Sequence, residues 1–328
     1  MKSIILGPTA IYGEHAGDGM EGELHPQLRT LLEFFLEQRK NPPEVYAVRP
    51  GLISQPDFFS VGDLQRHLNN PLLGPDWIHL RRNGQSVPLE PACLWKNIQT
   101  KKLLFMDKEL INEQLRQGSA IVLEGLDILD TAINAFTARV DEALPCSLVN
   151  CAVFFSQRDN EAYGGHRDTD DVLVVQISGE KLWHVYAPQQ RRYFNNSPLT
   201  VEQMKPEVAQ ITMRAGDALY VRAGVPHMCQ TPASHSLHLA FDLCDRTPNI
   251  EQITHEANNR YNLSCADTYV PAAEVMERYV GMMQSDEFRK LLVTATQQIR
   301  NTAAEFRKRM GRTSVIRALD KFAGTPKA

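Results

Sequence analysis

Three residues of this chain have the types and spacing to hold one metal ion: His166, Asp168 and His227. In a strand, residues two apart project from the same face, so His166 and Asp168 can bind one ion together while Arg167 points away. His227 ends the segment Gly216-Asp217-Ala-Leu-Tyr-Val-Arg-Ala-Gly224-Val-Pro226-His227, just after a tight turn that follows a later strand. In a folded-over sheet that turn brings it opposite the first pair. Two imidazoles and one carboxylate on one face of a metal leave three positions open, the arrangement associated with Fe(II) enzymes that activate O₂. A bidentate organic acid and O₂ can then bind side by side. An isolated His-x-Asp is common. The downstream Gly-Asp, the turn, the second histidine and the strand-rich setting give this one its weight.

The elements that must position these residues are short strands. Ala120–Glu124, Ser147–Phe155, Val172–Ile177, Lys181–Tyr186, Gln210–Arg214, Ala218–Val221 and Leu237–Leu243 are β-prone runs. They are broken by Ser178-Gly179, Ala187-Pro188, Ala215-Gly216-Asp217 and Ala223-Gly224-Val225-Pro226. This spacing predicts an antiparallel sandwich or barrel rather than βαβ units. The one strong helix near them, Thr131–Ala143, is expected on the outside of the sheet. Upstream, Leu28, Leu31, Leu32, Phe35 and Leu36 recur at helical spacing over Gln27–Lys40, and the pattern stops at Asn41-Pro42-Pro43. Val45–Val48 and Trp77–Leu80 read as short extended runs. After Arg246-Thr247-Pro248 the pattern turns helical, over Pro271–Met283 and Asp286–Met310, with Gly311 as a stop.

The chain of 328 residues is 43% apolar and 23% charged, ample for a large core. No run approaches the roughly 18 apolar residues of a membrane span, and Ile4-Ile5-Leu6 is too short for a signal-peptide core. A cytoplasmic protein is expected. Six cysteines without a CxxC pair read as reduced core thiols. The net charge of −4 argues against a nucleic-acid binder. From Arg289 onwards ten Lys/Arg face two acids, which reads as a solvated helix face, with docking of an acidic partner as the alternative.

From about Ile111 to Leu243 the chain resembles the JmjC and cupin-like 2-oxoglutarate oxygenases, in particular the ribosomal-oxygenase subgroup. The residues that carry the likeness run in order: Gly118-Ser-Ala-Ile-Val-Leu, the helix near Thr131, Asn150, His166-x-Asp168, Asp171-Val-Leu-Val-Val-Gln176, Gly179-Glu-Lys181-Leu-Trp183, Gly216-Asp217, Pro226-His227 and Ser236-Leu-His-Leu239. The resemblance implies a mainly β fold, a double-stranded β-helix of jelly-roll type. An α/β N-terminal part (1–110) would support the catalytic core (111–247), and a helical C-terminal region (248–328) would serve dimerisation. It implies Fe(II) at His166, Asp168 and His227, with 2-oxoglutarate and O₂ converted to succinate and CO₂. It also places a lysine fifteen positions after the first ligand on the far carboxylate of 2-oxoglutarate, here Lys181. On its own residues, Lys181 could equally be a solvated hairpin lysine. Its offset points to hydroxylation over demethylation.

Asn150 and Tyr163 stand where relatives contribute co-substrate or active-site hydrogen bonds, although Asn150 could satisfy a neighbouring strand and Tyr163 could pack at the rim. Ser156 is a further candidate for such a role. Ser236, His238, Ala240 and Asp242 alternate inward on the last strand, and Asp242 stands where relatives carry a neutral polar residue. Arg222 replaces a common proline. The expected target is an amino-acid side chain of a protein or peptide. The alternatives are a free amino acid or small metabolite, a cupin metalloenzyme that does not use 2-oxoglutarate, and a non-enzymatic scaffold.

Overall fold

The computed structural model describes residues 24–89, 91, 93–144, 147–157, 163–188, 199–245 and 272–294. The chain begins with α1 (Pro26–Lys40), in which Pro26 occupies the first turn, where its missing N–H costs nothing, and His25 accepts the Gln27 amide. There follow β1 (Tyr46–Arg49), α2 (Val61–Leu68), β2 (Ile78–Arg82), β3 (Gln85–Val87), β4 (Cys93–Ile98), β5 (Lys101–Met106) and α3 (Lys108–Arg116). The centre comprises β6 (Ala120–Leu123), α4 (Leu126–Leu129), α5 (Thr131–Ala143), β7 (Ser147–Gln157), β8 (Asp171–Tyr186), β9 (Glu207–Arg214), β10 (Ala218–Val221), β11 (His227–Gln230) and β12 (His235–Asp245). Last comes α6 (Ala272–Gln284), with residues 286–294 also helical.

Ten strands form one antiparallel sheet in the order β1-β10-β8-β12-β7-β6-β2-β3, with β9 and β11 joined to β8. The sixteen-residue β8 makes the architecture. Its first half pairs with β10 and β12, and beyond Gly179 its second half pairs with β9 and β11. One strand thus serves two facing layers, which makes a double-stranded β-helix. The sequence reads two strands here, split at Ser178-Gly179. Gly179 instead takes a positive φ of 67° inside one bent strand, and a Cβ there would lie 2.0 Å from the His235 carbonyl oxygen.

Burial follows from the strand period. Leu173, Val175 and Ile177 face the large core shared with α1 and α5, where Phe136 and Phe241 pack with ring centroids 4.8 Å apart. Val172 and Val174 face the smaller core with Trp183, Val185, Met213 and Leu219. Both faces of β8 are covered, so its first half reads as an unbroken apolar run rather than an alternation. α5 is held by Asp130, whose carboxylate accepts the Ala132 and Ile133 amides. Strands of the N-terminal part join the same sheet, β1 on β10 and β2 on β6.

The expected helix at 286–310 is described only as far as 294, and the expected dimerisation region falls largely outside the described residues. Among the described residues no helix is long and apolar enough to cross a membrane.

Candidate active site

The Gly216-Asp217 turn starts the segment that delivers the second histidine. Gly216 has φ 92°, and a Cβ on it would sit 1.8 Å from the Ile53 carbonyl oxygen. Asp217 caps the turn, its carboxylate accepting the Gly51 and Arg214 amides at 2.7 Å each. β10 then leads through a turn, where the Gly224 amide donates to the Asp168 carbonyl oxygen at 2.8 Å. His227 arrives opposite His166, and the two exchange backbone hydrogen bonds of 2.8 and 3.0 Å. Two segments about sixty residues apart in sequence are locked side by side this way.

Asp168 Oδ1 lies 3.8 Å from His166 Nε2, and its Oδ2 lies 3.6 Å from His227 Nε2. One potential ligand atom from each residue falls within 4.8 Å of the others. The Nδ1 atoms of His166 and His227 lie 2.9 and 3.0 Å from the carbonyl oxygens of Gly164 and Val225. A carbonyl only accepts, so each Nδ1 carries the hydrogen and each Nε2 keeps its lone pair for the chamber. His227 is pushed down to about 4 by burial first and then by His166, against an opposing pull from Asp168. It is therefore a neutral imidazole, the form that binds metal. Ligands about 2.1 Å from a common ion lie at most ~4.2 Å apart, and the Asp168 separations meet that limit. The donor set fits a divalent transition metal.

Lys181 projects from the second half of β8 into the same chamber and is 1% exposed. Its ammonium donates to Ser156 Oγ at 2.9 Å and Thr231 Oγ1 at 3.0 Å, and these hydroxyls are 2.6 Å apart. A buried ammonium lining a cavity is what a carboxylate needs, and the two hydroxyls hold it in place. His238, stacked on Phe154 at 4.8 Å, is held well below its ordinary pKa by burial and then by Lys181, and is neutral. Trp183 lies against His227 with ring centroids 5.4 Å apart. The chamber measures about 660 Å³, and among the positions singled out from sequence His166, Asp168, His227, Lys181, Asn150 and Tyr163 line it, while Ser156 does not. Tyr163 carries the Arg81 guanidinium 4.2 Å above its ring. Asn150 pairs with Asp242 across β7 and β12, six residues from Ser156, or ~20 Å along the strand.

Thr231 and Trp183 were not assigned from sequence as site residues. The signal for Thr231 is register: His227 pairs with Val185, and the same register carried on sets Thr231 opposite Lys181. A second cavity of about 590 Å³, between α2 and α3, is lined mainly by apolar side chains such as Leu64, Leu68, Ile111 and Leu115 and gathers no ligand set among the described residues.

Asp242 also lines the chamber, and its carboxyl is pushed up to about 7 by burial first, then by Asp168, Asp170 and Glu124. Its folded pKa lies above its unfolded value of 3.8, so the fold prefers the protonated acid. The corresponding stability is fully present below 3.8 and is lost as pH rises through about 7. Asp242→Asn should therefore stabilise the metal-free protein by about 2 kcal/mol at pH 8, allowing for screening, and by far less at pH 4. Urea unfolding at the two pH values reads the difference. Equal gains at both would refute the assignment.

A family model described as a JmjC domain matches residues 128–253. The bifunctional lysine-specific demethylase and histidyl-hydroxylase NO66 of Dictyostelium discoideum is 21% identical over 266 residues, 79% of this chain and 50% of that protein. Ribosomal oxygenase 2 of Rattus norvegicus is 28% identical over 108 residues, 31% of this chain and 23% of that protein. The chain thus spans half or less of the length of these curated relatives. Among solved structures, YcfD, a ribosomal oxygenase from Escherichia coli in complex with cobalt and 2-oxoglutarate, superposes with a TM-score of 0.48 at 13% identity, covering 80% of this chain and 70% of that one.

Proposed function

We propose, from the premise that residues 128–253 are a JmjC domain, that this chain is an Fe(II)- and 2-oxoglutarate-dependent oxygenase. It hydroxylates an amino-acid side chain of a protein or peptide and converts 2-oxoglutarate and O₂ to succinate and CO₂. The observation that carries this reading is Lys181. A buried ammonium seated on Ser156 and Thr231 shares one chamber with the His166-Asp168-His227 set.

In this reading His166, Asp168 and His227 hold the iron, which together with 2-oxoglutarate and O₂ supplies the oxidising power for C–H hydroxylation. The side chains bind, orient and shield. Lys181, held by the two hydroxyls, takes the far carboxylate of the co-substrate and fixes its direction. The carbonyls of Gly164 and Val225 hold the two imidazoles in the tautomer that keeps Nε2 free. Trp183 and Val225, 4% and 0% exposed, exclude water behind His227. No side-chain general base is required. Asn150 and Tyr163 are assigned to the same chamber, where the position of Asn150 beside Asp242 favours contact with the target over the co-substrate.

The relatives named for ribosomal oxygenation and histidyl hydroxylation support a protein target. A free amino acid is the second reading, favoured by Arg81 and Asp242, which bring a cation and a hydrogen-bonding carboxyl to one chamber. The division at residues 110 and 247 and homodimerisation through the region after Ile250 belong to the same proposal. The test is succinate release by the Fe(II)-loaded protein with a proteome-derived peptide pool or with free amino acids. A 16 Da gain on a peptide supports the first reading, and stimulation only by a free amino acid supports the second.

A further inference from the structure

The chamber's three candidate ligands come from two segments, and what keeps those segments in register lies just behind them. The inner link is the backbone: His166 with His227, and the Gly224 amide on the Asp168 carbonyl. The outer link is the carboxylate of Asp171, three residues past Asp168 and 6% exposed. Its Oδ1 accepts the Ala223 amide at 2.7 Å and lies 3.2 Å from Arg222 Nε. Its Oδ2 accepts Arg39 Nη1 from α1 at 2.8 Å and the Tyr220 hydroxyl at 2.5 Å. Arg222 is fixed in turn, its amide on the Val45 carbonyl at 3.0 Å and its Nη1 3.5 Å from the Pro43 carbonyl.

We propose that Asp171, clamped between Arg39 and Arg222, is a positioning residue for the metal centre. It fixes by charge the turn that presents His227 to His166 and Asp168. The proposal rests on the reading that these three residues bind a metal, and it does not depend on which co-substrate is used.

The physical case is one of rigidity. The turn 223–226 has one side-chain anchor at its start, the Asp171 carboxylate, and its next residue, Gly224, is at φ 78°, a conformation glycine adopts freely but does not enforce. Without the carboxylate the Ala223 amide and the Tyr220 hydroxyl lose their common acceptor, and the turn is free to slide relative to Asp168. A ligand displaced by a fraction of an ångström binds metal less well, and loss of outer partners of metal ligands typically weakens affinity 10–100-fold. Because Arg39 belongs to α1, the clamp also makes the N-terminal part a contributor to the site.

The test uses Co(II) alone, titrated anaerobically into the metal-free full chain and followed by its visible absorption, with urea unfolding of each metal-free variant alongside. Asp171→Asn and Arg222→Ala should each weaken Co(II) binding about tenfold or more. The double variant should bind no worse than Asp171→Asn, and Arg222→Lys should recover most of the loss. Should Asp171→Asn fail to fold, the Arg222→Ala and Arg222→Lys pair decides. Co(II) affinities within about twofold of the parent, despite a lowered urea midpoint, would show that the carboxylate holds the fold only. Additive losses would sink the coupling. A parent protein that fails to bind Co(II) overturns this proposal and the proposed function together. One that binds Co(II) but never turns over 2-oxoglutarate overturns only the latter.

Discussion

Asp168→Ala should weaken metal binding by ~10²–10³ and depress 2-oxoglutarate turnover with it, while leaving the metal-free protein at least as stable as its parent. Asp168 brings the only carboxylate of the candidate set, 3.8 and 3.6 Å from the two Nε2 atoms. Site energies of ~10–16 kcal/mol shared over a few ligands put the loss of one at about 3 kcal/mol, or ~10²–10³ in affinity. No fold energy is lost in compensation. The Asp168 side chain is 35% exposed, and its charge helps to push Asp242 up. Removing it relieves that repulsion. Co(II) titration and urea unfolding separate the two effects, and a variant that keeps the parent's affinity would remove Asp168 from the ligand set.

Lys181→Met should raise the KM for 2-oxoglutarate by about a hundredfold, with metal affinity unchanged. Methionine keeps most of the side-chain length and loses the charge, together with the hydrogen bonds to Ser156 and Thr231. Truncating one partner of a buried ion pair typically costs ~2–5 kcal/mol, and in the proposed function the other partner is the co-substrate's far carboxylate. The 2.6 Å contact between Ser156 and Thr231 survives the change, so neither hydroxyl is orphaned. The metal-free protein should therefore lose little stability. Steady-state kinetics over a range of 2-oxoglutarate concentrations checks this. An unchanged KM would return Lys181 to a structural role.

The parts of the fold and site that were legible share a local cause. His166 and Asp168 are two apart in extended chain, so their common face follows from the pleat alone. Gly216 marks its turn because only glycine fits beside the Ile53 carbonyl, and Asp217 caps that turn from the adjacent position. α1 and α5 were readable from apolar spacing and the residues at their ends.

What was not legible depends on pairing over distance. Ser178-Gly179 has the composition of a turn, yet β12 alongside holds the chain through it as one strand. Thr231 acquires its role only once β11 lies against β8, and nothing within its own segment announces a partner to Lys181. α2 and α3, of eight and nine residues, are too short to establish a helical period. β4 leaves Leu94 and Trp95 exposed, so it lacks the alternation by which a half-buried strand is recognised. Arg222 stands where the resemblance leads one to expect a proline. In the structure it pairs with Asp171, a contact 51 residues away that no local pattern encodes.

In the proposed function one chamber holds a metal and 2-oxoglutarate together. The most direct test is an anaerobic titration of 2-oxoglutarate into Fe(II)-loaded protein, followed by admission of O₂ and quantitation of succinate. Saturable binding at one equivalent per iron is expected, strongly weakened in Lys181→Met, with succinate formed once O₂ enters. Fe(II)-loaded protein that neither binds 2-oxoglutarate nor forms succinate, with or without peptide and amino-acid substrates, would contradict the proposed function.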